Sequence, residues 1–238
     1  MIVAEIGLNH MGDETIAMRM LRKLVKRGID AVTFQIANPS FYNKDKPYKK
    51  ALRSEFYRKA IDYVHENGKL IGFAIADKSM VRFLNDSGAD FWKTLSQDLS
   101  NYDLHSELQK TEKVTYVSTG LSCEKEITRM SNRLKTIILI HTEISHRIED
   151  VNLKAISRLG KCTGRKVAFG LHCSDISSLY LAVAFEPSDI FFYVKEDLKI
   201  SYPDDQHAIS ITNLNSVLTK ITKLRKALGN GAKEKRIN

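Results

Sequence analysis

Short apolar runs alternate with longer amphipathic stretches along nearly the whole chain. Eight runs stand out: Ile2 to Ile6, Ala31 to Gln35, Leu70 to Ile75, Phe91 to Leu95, Val114 to Ser118, Thr136 to His141, Val167 to His172 and Ile190 to Val194. Most are rich in β-branched or aromatic residues, the pattern of strands buried on both faces. The intervening stretches carry helical spacing. In the first, Ala17, Met20, Leu21 and Leu24 form one stripe, while Arg19, Arg22, Lys23 and Lys26 cover the other side. Asp13 and Ser122 suit the N-caps of the first and fifth helices. Strict strand–helix alternation demands parallel pairing with right-handed crossovers. Eight such units predict an α/β fold, a closed (β/α)8 TIM barrel, as one domain over residues 1–228 with a basic tail over 229–238. An open doubly wound sheet is the alternative, but no GxGxxG follows the first strand.

Composition narrows the class without naming an activity. A hydrophobic share of 43% and a charged share of 27% are ordinary for a globular protein. No apolar run approaches the roughly 20 residues that span a bilayer, and no secretory leader is visible. Cys123, Cys162 and Cys173 are odd in number and lack CxxC spacing, which fits reduced thiols and a cytoplasmic location. The excess of 37 Lys+Arg over 28 Asp+Glu, a net +9, suits an anionic small substrate. Much of it lies late, in Lys220, Lys223, Arg225, Lys226, Lys233, Lys235 and Arg236, where a solvated helix face and tail account for it. Without aromatic interleaving or a nucleic-acid module, a polynucleotide partner is not expected.

In a barrel of this kind, side chains at the C-terminal ends of the strands converge on one mouth. Strand one offers Glu5, Asn9 and His10; strand two, Gln35 and Asn38; strand four, Lys93, Ser96, Asp98 and Asn101. Strand five contributes Ser118-Thr119-Gly120, strand six His141 and Glu143, strand seven His172 and Ser174. Glu5 alternates with Ala4 and Ile6, so its carboxylate lies in the sheet and needs a cation, a metal or a proton. A lysine with small hydroxyls and a glycine amide is what a phosphate or carboxylate requires. Two histidines on consecutive strand ends could hold a divalent cation.

The ordered motifs Ala4-Glu-Ile-Gly-Leu-Asn-His10-Met-Gly12, Ala31-Val-Thr-Phe-Gln35, Phe91-Trp-Lys-Thr-Leu-Ser96-Gln-Asp-Leu-Ser-Asn101, Ser118-Thr-Gly120, Leu139-Ile-His141 and Val151-Asn-Leu-Lys-Ala-Ile156 resemble the sialic acid synthase family, across residues 1–211. That family includes legionaminate, pseudaminate and spore-coat polysaccharide synthases. The resemblance implies a (β/α)8 barrel that condenses phosphoenolpyruvate with an N-acetylated amino sugar, uses a divalent metal (manganese or magnesium), releases phosphate and forms a homodimer. It implies Glu5 as the catalytic glutamate; Lys93, Ser96 and Ser118 as phosphoenolpyruvate-binding residues; Gln35 in the sugar pocket; and His141 with His172 as metal ligands. The chain departs from the family's pattern at Thr33, where a lysine is usual, at Ala74-Ile75-Ala76-Asp77, at Leu171, where a carboxylate is usual, and at Phe191-Phe192-Tyr193, where Glu-Lys-His is usual. Pro203-Asp204-Asp205-Gln206-His207 loosely resembles its Gly-Pro-Asp-His region, and no counterpart of the family's antifreeze-like C-terminal domain is expected. These departures motivate a second expectation, a non-catalytic relative that retains anion or sugar binding.

Overall fold

The computed structural model describes residues 1–42, 46–198 and 200–233. Eight parallel strands form the barrel wall: β1 (Ile2–Gly7), β2 (Ala31–Ile36), β3 (Leu70–Ile75), β4 (Phe91–Thr94), β5 (Thr115–Ser118), β6 (Ile137–His141), β7 (Val167–Leu171) and β8 (Ile190–Lys195). They pair in sequence order, and β1 closes the ring on β8 through Ile2 opposite Ile190 to Glu5 opposite Tyr193. Around them lie α1 (Glu14–Leu24), α2 (Ser54–Glu66), α3 (Met80–Asp86), α4 (Tyr102–Gln109), α5 (Glu124–Ser131), α6 (Lys154–Thr163), α7 (Ser177–Ala182) and α8 (Leu214–Leu228). A short ninth strand, β9 (Ile209–Ser210), pairs with the upper end of β8. The predicted barrel is thus present. Its helical wall ends at Leu228, and residues 234–238 of the expected tail lie outside the described residues. Among the described residues no helix is long and apolar enough to cross a membrane.

Alternation along each strand divides the apolar residues between two cores. The larger lies between wall and helices and takes Ala4 and Ile6 of β1, Val32 and Phe34 of β2, Leu139 of β6 and Phe169 of β7. The smaller fills the barrel interior with Val3, Ala31, Phe91, Tyr116, Ile140, Ala168 and Phe191. Tyr116 stacks edge-on against Phe91 and Phe191, with ring centroids at 5.5 and 4.9 Å. Gly72 leaves room for this plug, since a Cβ there would lie 2.2 Å from the Phe91 ring. The lower barrel is therefore solid, and only residues one step further along the strands can meet a ligand.

Helix starts agree in part with expectation. The Asp13 carboxylate accepts from the Thr15 and Ile16 amides and caps α1. At α5 the cap is Cys123 rather than Ser122: the Glu126 side chain reaches back and accepts from the Cys123 amide at 2.8 Å, the return bond of a capping box.

Candidate active site

The interior positions above the aromatic plug carry the polar residues. Glu5 sits opposite Thr33 across β1 and β2, and Lys93 sits opposite Tyr116 across β4 and β5. Lys93 Nζ donates to Glu5 Oε2 at 2.5 Å, with both side chains almost fully buried, and the Thr33 hydroxyl lies 3.4 Å from the same oxygen. The Lys93 ammonium also faces the Phe191 and Tyr193 rings, at 5.7 and 5.4 Å from their centroids. Glu5 thus finds the cation that its burial requires, and that cation is the lysine expected to hold an anion. Beside them Ser96 Oγ and Ser118 Oγ are 2.9 Å apart, and the Gly120 amide donates to Ser96 Oγ at 3.2 Å. Gln35, two residues beyond Thr33, is partly exposed on the same face of β2.

A segment after β8 closes over this group. Asn9, fully buried, donates through Nδ2 to the Val194 carbonyl at 2.9 Å and accepts from the Asp204 amide at 3.2 Å. It thereby ties the turn after β1 to the 202–208 loop. Gly7 makes the close approach possible: it has a φ of +56°, and a Cβ there would lie 2.6 Å from the Tyr193 ring and 3.3 Å from Asp204 Oδ2. Burial, reinforced by the negative charge of Glu5, pushes the Asp204 carboxyl up to about 7. Burial and the same two carboxylates also raise the Tyr193 phenol. His207 stacks on His172 with centroids 4.5 Å apart and on His146 at 5.2 Å, and stands edge-on to Tyr193 at 5.1 Å. Burial, then repulsion from His146, Lys93 and Lys195, pulls His207 down to about 4. Burial, then His207, Lys93 and His146, pulls His172 down to about 3. His172 and His207 therefore stack on one another as neutral rings near neutral pH.

The expected histidine pair is not brought together. His141 lies opposite Phe169 on the outer face of β6, its ring centroid 6.5 Å from that of Phe169, and its Nε2 bonds the Val151 carbonyl at 2.9 Å. His172 continues the inner face of β7 beyond Ala168 and Gly170 and meets His207 instead. One residue's difference in strand phase sends the two imidazoles to opposite sides of the wall. Among the described residues no three His, Cys, Asp or Glu side chains converge as a metal site. Two imidazoles on opposite faces of the wall do not fit a shared ion. His10 is likewise a turn residue: its Nδ1 accepts from the Gly12 amide at 3.0 Å and its ring lies 6.2 Å from that of Phe34.

Four further residues reach the mouth without having been given a site role from sequence. Asp204 and His207 lie in the segment that loosely resembles the family's Gly-Pro-Asp-His region, but nothing in its own pattern says that it folds over the mouth. Lys195 could have been found, because it follows Tyr193 by two positions on the same face of β8. Its ammonium is held by Asp205 through the carboxylate at 2.6 Å and the carbonyl at 2.8 Å. His146 reaches the mouth from the loop after β6, donating through Nδ1 to the His172 carbonyl at 2.9 Å.

Comparison with known proteins agrees with this architecture. The family described as the NeuB family matches residues 18–233. An uncharacterized protein of Methanocaldococcus jannaschii is 30% identical over 246 residues, covering 98% of this chain and 73% of that one. The N,N'-diacetyllegionaminic acid synthase of Campylobacter jejuni is 27% identical over 267 residues, covering 98% and 79%. The crystal structure of an N-acetylneuraminic acid synthetase from Leptospira borgpetersenii superposes with a TM-score of 0.90 at 22% identity, over 99% of this chain and 87% of that one. Barrel, motif order and relatives agree, and the chain belongs to the NeuB family, among whose members are sialic, legionaminic and pseudaminic acid synthases.

Proposed function

We propose that the chain condenses phosphoenolpyruvate with an N-acetylated amino sugar and releases phosphate. The observation that carries the reading is the grouping of Lys93, the Ser96–Ser118 hydroxyl pair and the Gly120 amide beside Glu5 at the closed end of the mouth. Lys93 and the two hydroxyls bind the phosphoenolpyruvate anion by charge-assisted hydrogen bonds. The enol carbon attacks the open-chain aldehyde carbon of the sugar, and the aldehyde oxygen takes a proton from Asp204, whose carboxyl is half protonated near pH 7. Water then adds at the resulting cationic carbon and gives its proton to Glu5. The tetrahedral intermediate expels phosphate and leaves a 2-oxo acid. Gln35, on the open side of the mouth, orients the sugar. The divalent ion and the homodimer implied by the family belong to this reading as requirements to be measured. They are supported by family membership rather than by the placement of His141 and His172.

One observation favours a second reading, a binding protein without turnover. The buried ammonium of Lys93 is already matched by Glu5, and the Phe191 and Tyr193 rings lie over it. The deciding measurement is phosphate release with phosphoenolpyruvate, a panel of acetamido sugars and added manganese or magnesium, comparing the natural chain with Lys93→Met. Sugar-dependent phosphate release that Lys93→Met abolishes supports the condensing enzyme. Binding of phosphoenolpyruvate without release by any sugar supports the second reading.

A further inference from the structure

Lys93 is placed for nucleophilic chemistry as well as for anion binding. The residue is 4% exposed, and its amine lies 2.5 Å from one carboxylate oxygen and faces the Phe191 and Tyr193 rings. Apolar rings around a buried lysine favour the free amine by desolvation, and the carboxylate at hydrogen-bond distance is placed to take the proton that the ammonium must lose before the nitrogen can attack a carbonyl carbon. Charge points the same way. Phosphoenolpyruvate brings several negative charges toward Glu5 and Asp204, whereas a 2-oxo acid brings one. The Ser96–Ser118 pair uses one hydroxyl proton in its mutual bond and leaves the other for a carboxylate.

We propose that Lys93 captures the carbonyl carbon of a small 2-oxo acid as an imine, with Glu5 taking and returning the proton. The Lys93 ammonium gives a proton to Glu5, and the freed nitrogen lone pair attacks the carbonyl carbon. The carbon–oxygen π pair moves to oxygen, which takes a proton from the adduct nitrogen. The carbinolamine oxygen then receives the Glu5 proton and leaves as water while the nitrogen lone pair forms the C=N bond. Ammonium and ketone thus become iminium and water, with no oxidant, metal or further reactant. The activity goes beyond phosphoenolpyruvate condensation, which forms no bond to lysine.

The test is trapping with pyruvate and sodium borohydride, read by intact mass and by peptide mapping. The expected result is one reduced pyruvyl adduct per chain on the peptide carrying Lys93. It should be absent with lactate, which has no carbonyl, and absent at that position in Lys93→Arg and Lys93→Met. Glu5→Gln should lower the labelling rate by about tenfold or more, within the usual contribution of a positioned base. Far-ultraviolet circular dichroism checks that each variant is folded, and the map of the natural chain stands even where a variant is not. No adduct on Lys93, or label scattered over exposed lysines and unchanged in Lys93→Arg, overturns the proposal.

Discussion

Thr33 and Asp204 decide how the mouth handles charge. Thr33 holds the position where a lysine is usual in the family, level with Glu5 and 3.4 Å from its carboxylate. Thr33→Lys supplies Glu5 with a second cation and releases Lys93 toward an anion. A charge-assisted hydrogen bond contributes about 1.5–3 kcal/mol, so phosphoenolpyruvate should bind roughly one to two decades more tightly in titration calorimetry. Equal affinity in a folded variant would remove position 33 from the anion site. Asp204 tests the proton donor. Its carboxyl is protonated below about pH 7, so condensation should slow as pH rises through that value. Asp204→Asn should cost roughly two to four decades in kcat and abolish that limb of the pH profile. A profile unchanged in shape would make Asp204 structural. Residues of this kind set the limit of sequence reading. The positions of Glu5, Lys93, Ser96 and Ser118 at the mouth were legible because each lies on or near a strand end. His141 was misplaced because a motif gives a strand end but not the side of the wall that it faces. The 203–207 segment was noticed only as a loose resemblance, and its place over the mouth was not legible because Asp204 meets Asn9 at the far end of the chain and His207 meets rings from two other strand ends.

The strands themselves were the most legible elements. Their apolar, β-branched runs place all eight within a residue of the observed bounds, since burial on both faces leaves little else to encode. The two-residue β9 was not foreseen: it exists only because β8 offers it an edge. The 202–208 loop is held from several sides. Asn9 bonds it and the β8 backbone together, Lys195 bonds Asp205, and the buried Glu196 takes Arg19 and Lys23 of α1 at 2.6 Å each. Asn9→Ala removes both hydrogen bonds of the clamp and leaves the Val194 carbonyl unpaired, a loss of about 1–3 kcal/mol. Amide exchange over 202–208 should speed up well before the strands loosen. Uniform exchange across the whole chain would instead mean that Asn9 stabilises the barrel rather than the loop.

At the scale of the molecule, buried neutral imidazoles make stability depend on pH. Burial holds His10 at about 4, His172 at about 3 and His207 at about 4, all below the usual 6.5. As pH falls below about 6.5 the unfolded chain binds these protons and the folded chain does not, so stability is full above 6.5 and declines toward 4. Asp204 acts oppositely, because its folded value is raised: it binds a proton on folding between about 7 and 4 and offsets one of the three. Each unbalanced proton is worth about 1.4 kcal/mol per pH unit, so urea midpoints should drop steeply between pH 6.5 and 4.5. His207→Gln should flatten that slope by one proton. A midpoint unchanged over this range would show that the imidazoles charge without loss of the fold.

The Asn9 clamp has a consequence in time as well as in space. It joins positions separated by 185 and 195 residues along the chain, and the Glu5–Lys93 pair bridges a further 88. Contacts of such long sequence separation form late, after the entropy of closing large loops has been overcome. During synthesis the first strand must wait, its apolar faces unsatisfied on one edge, until the eighth emerges to close the ring. A growing chain therefore carries no assembled mouth at any length short of nearly the whole barrel, and chemistry appears together with closure rather than before it.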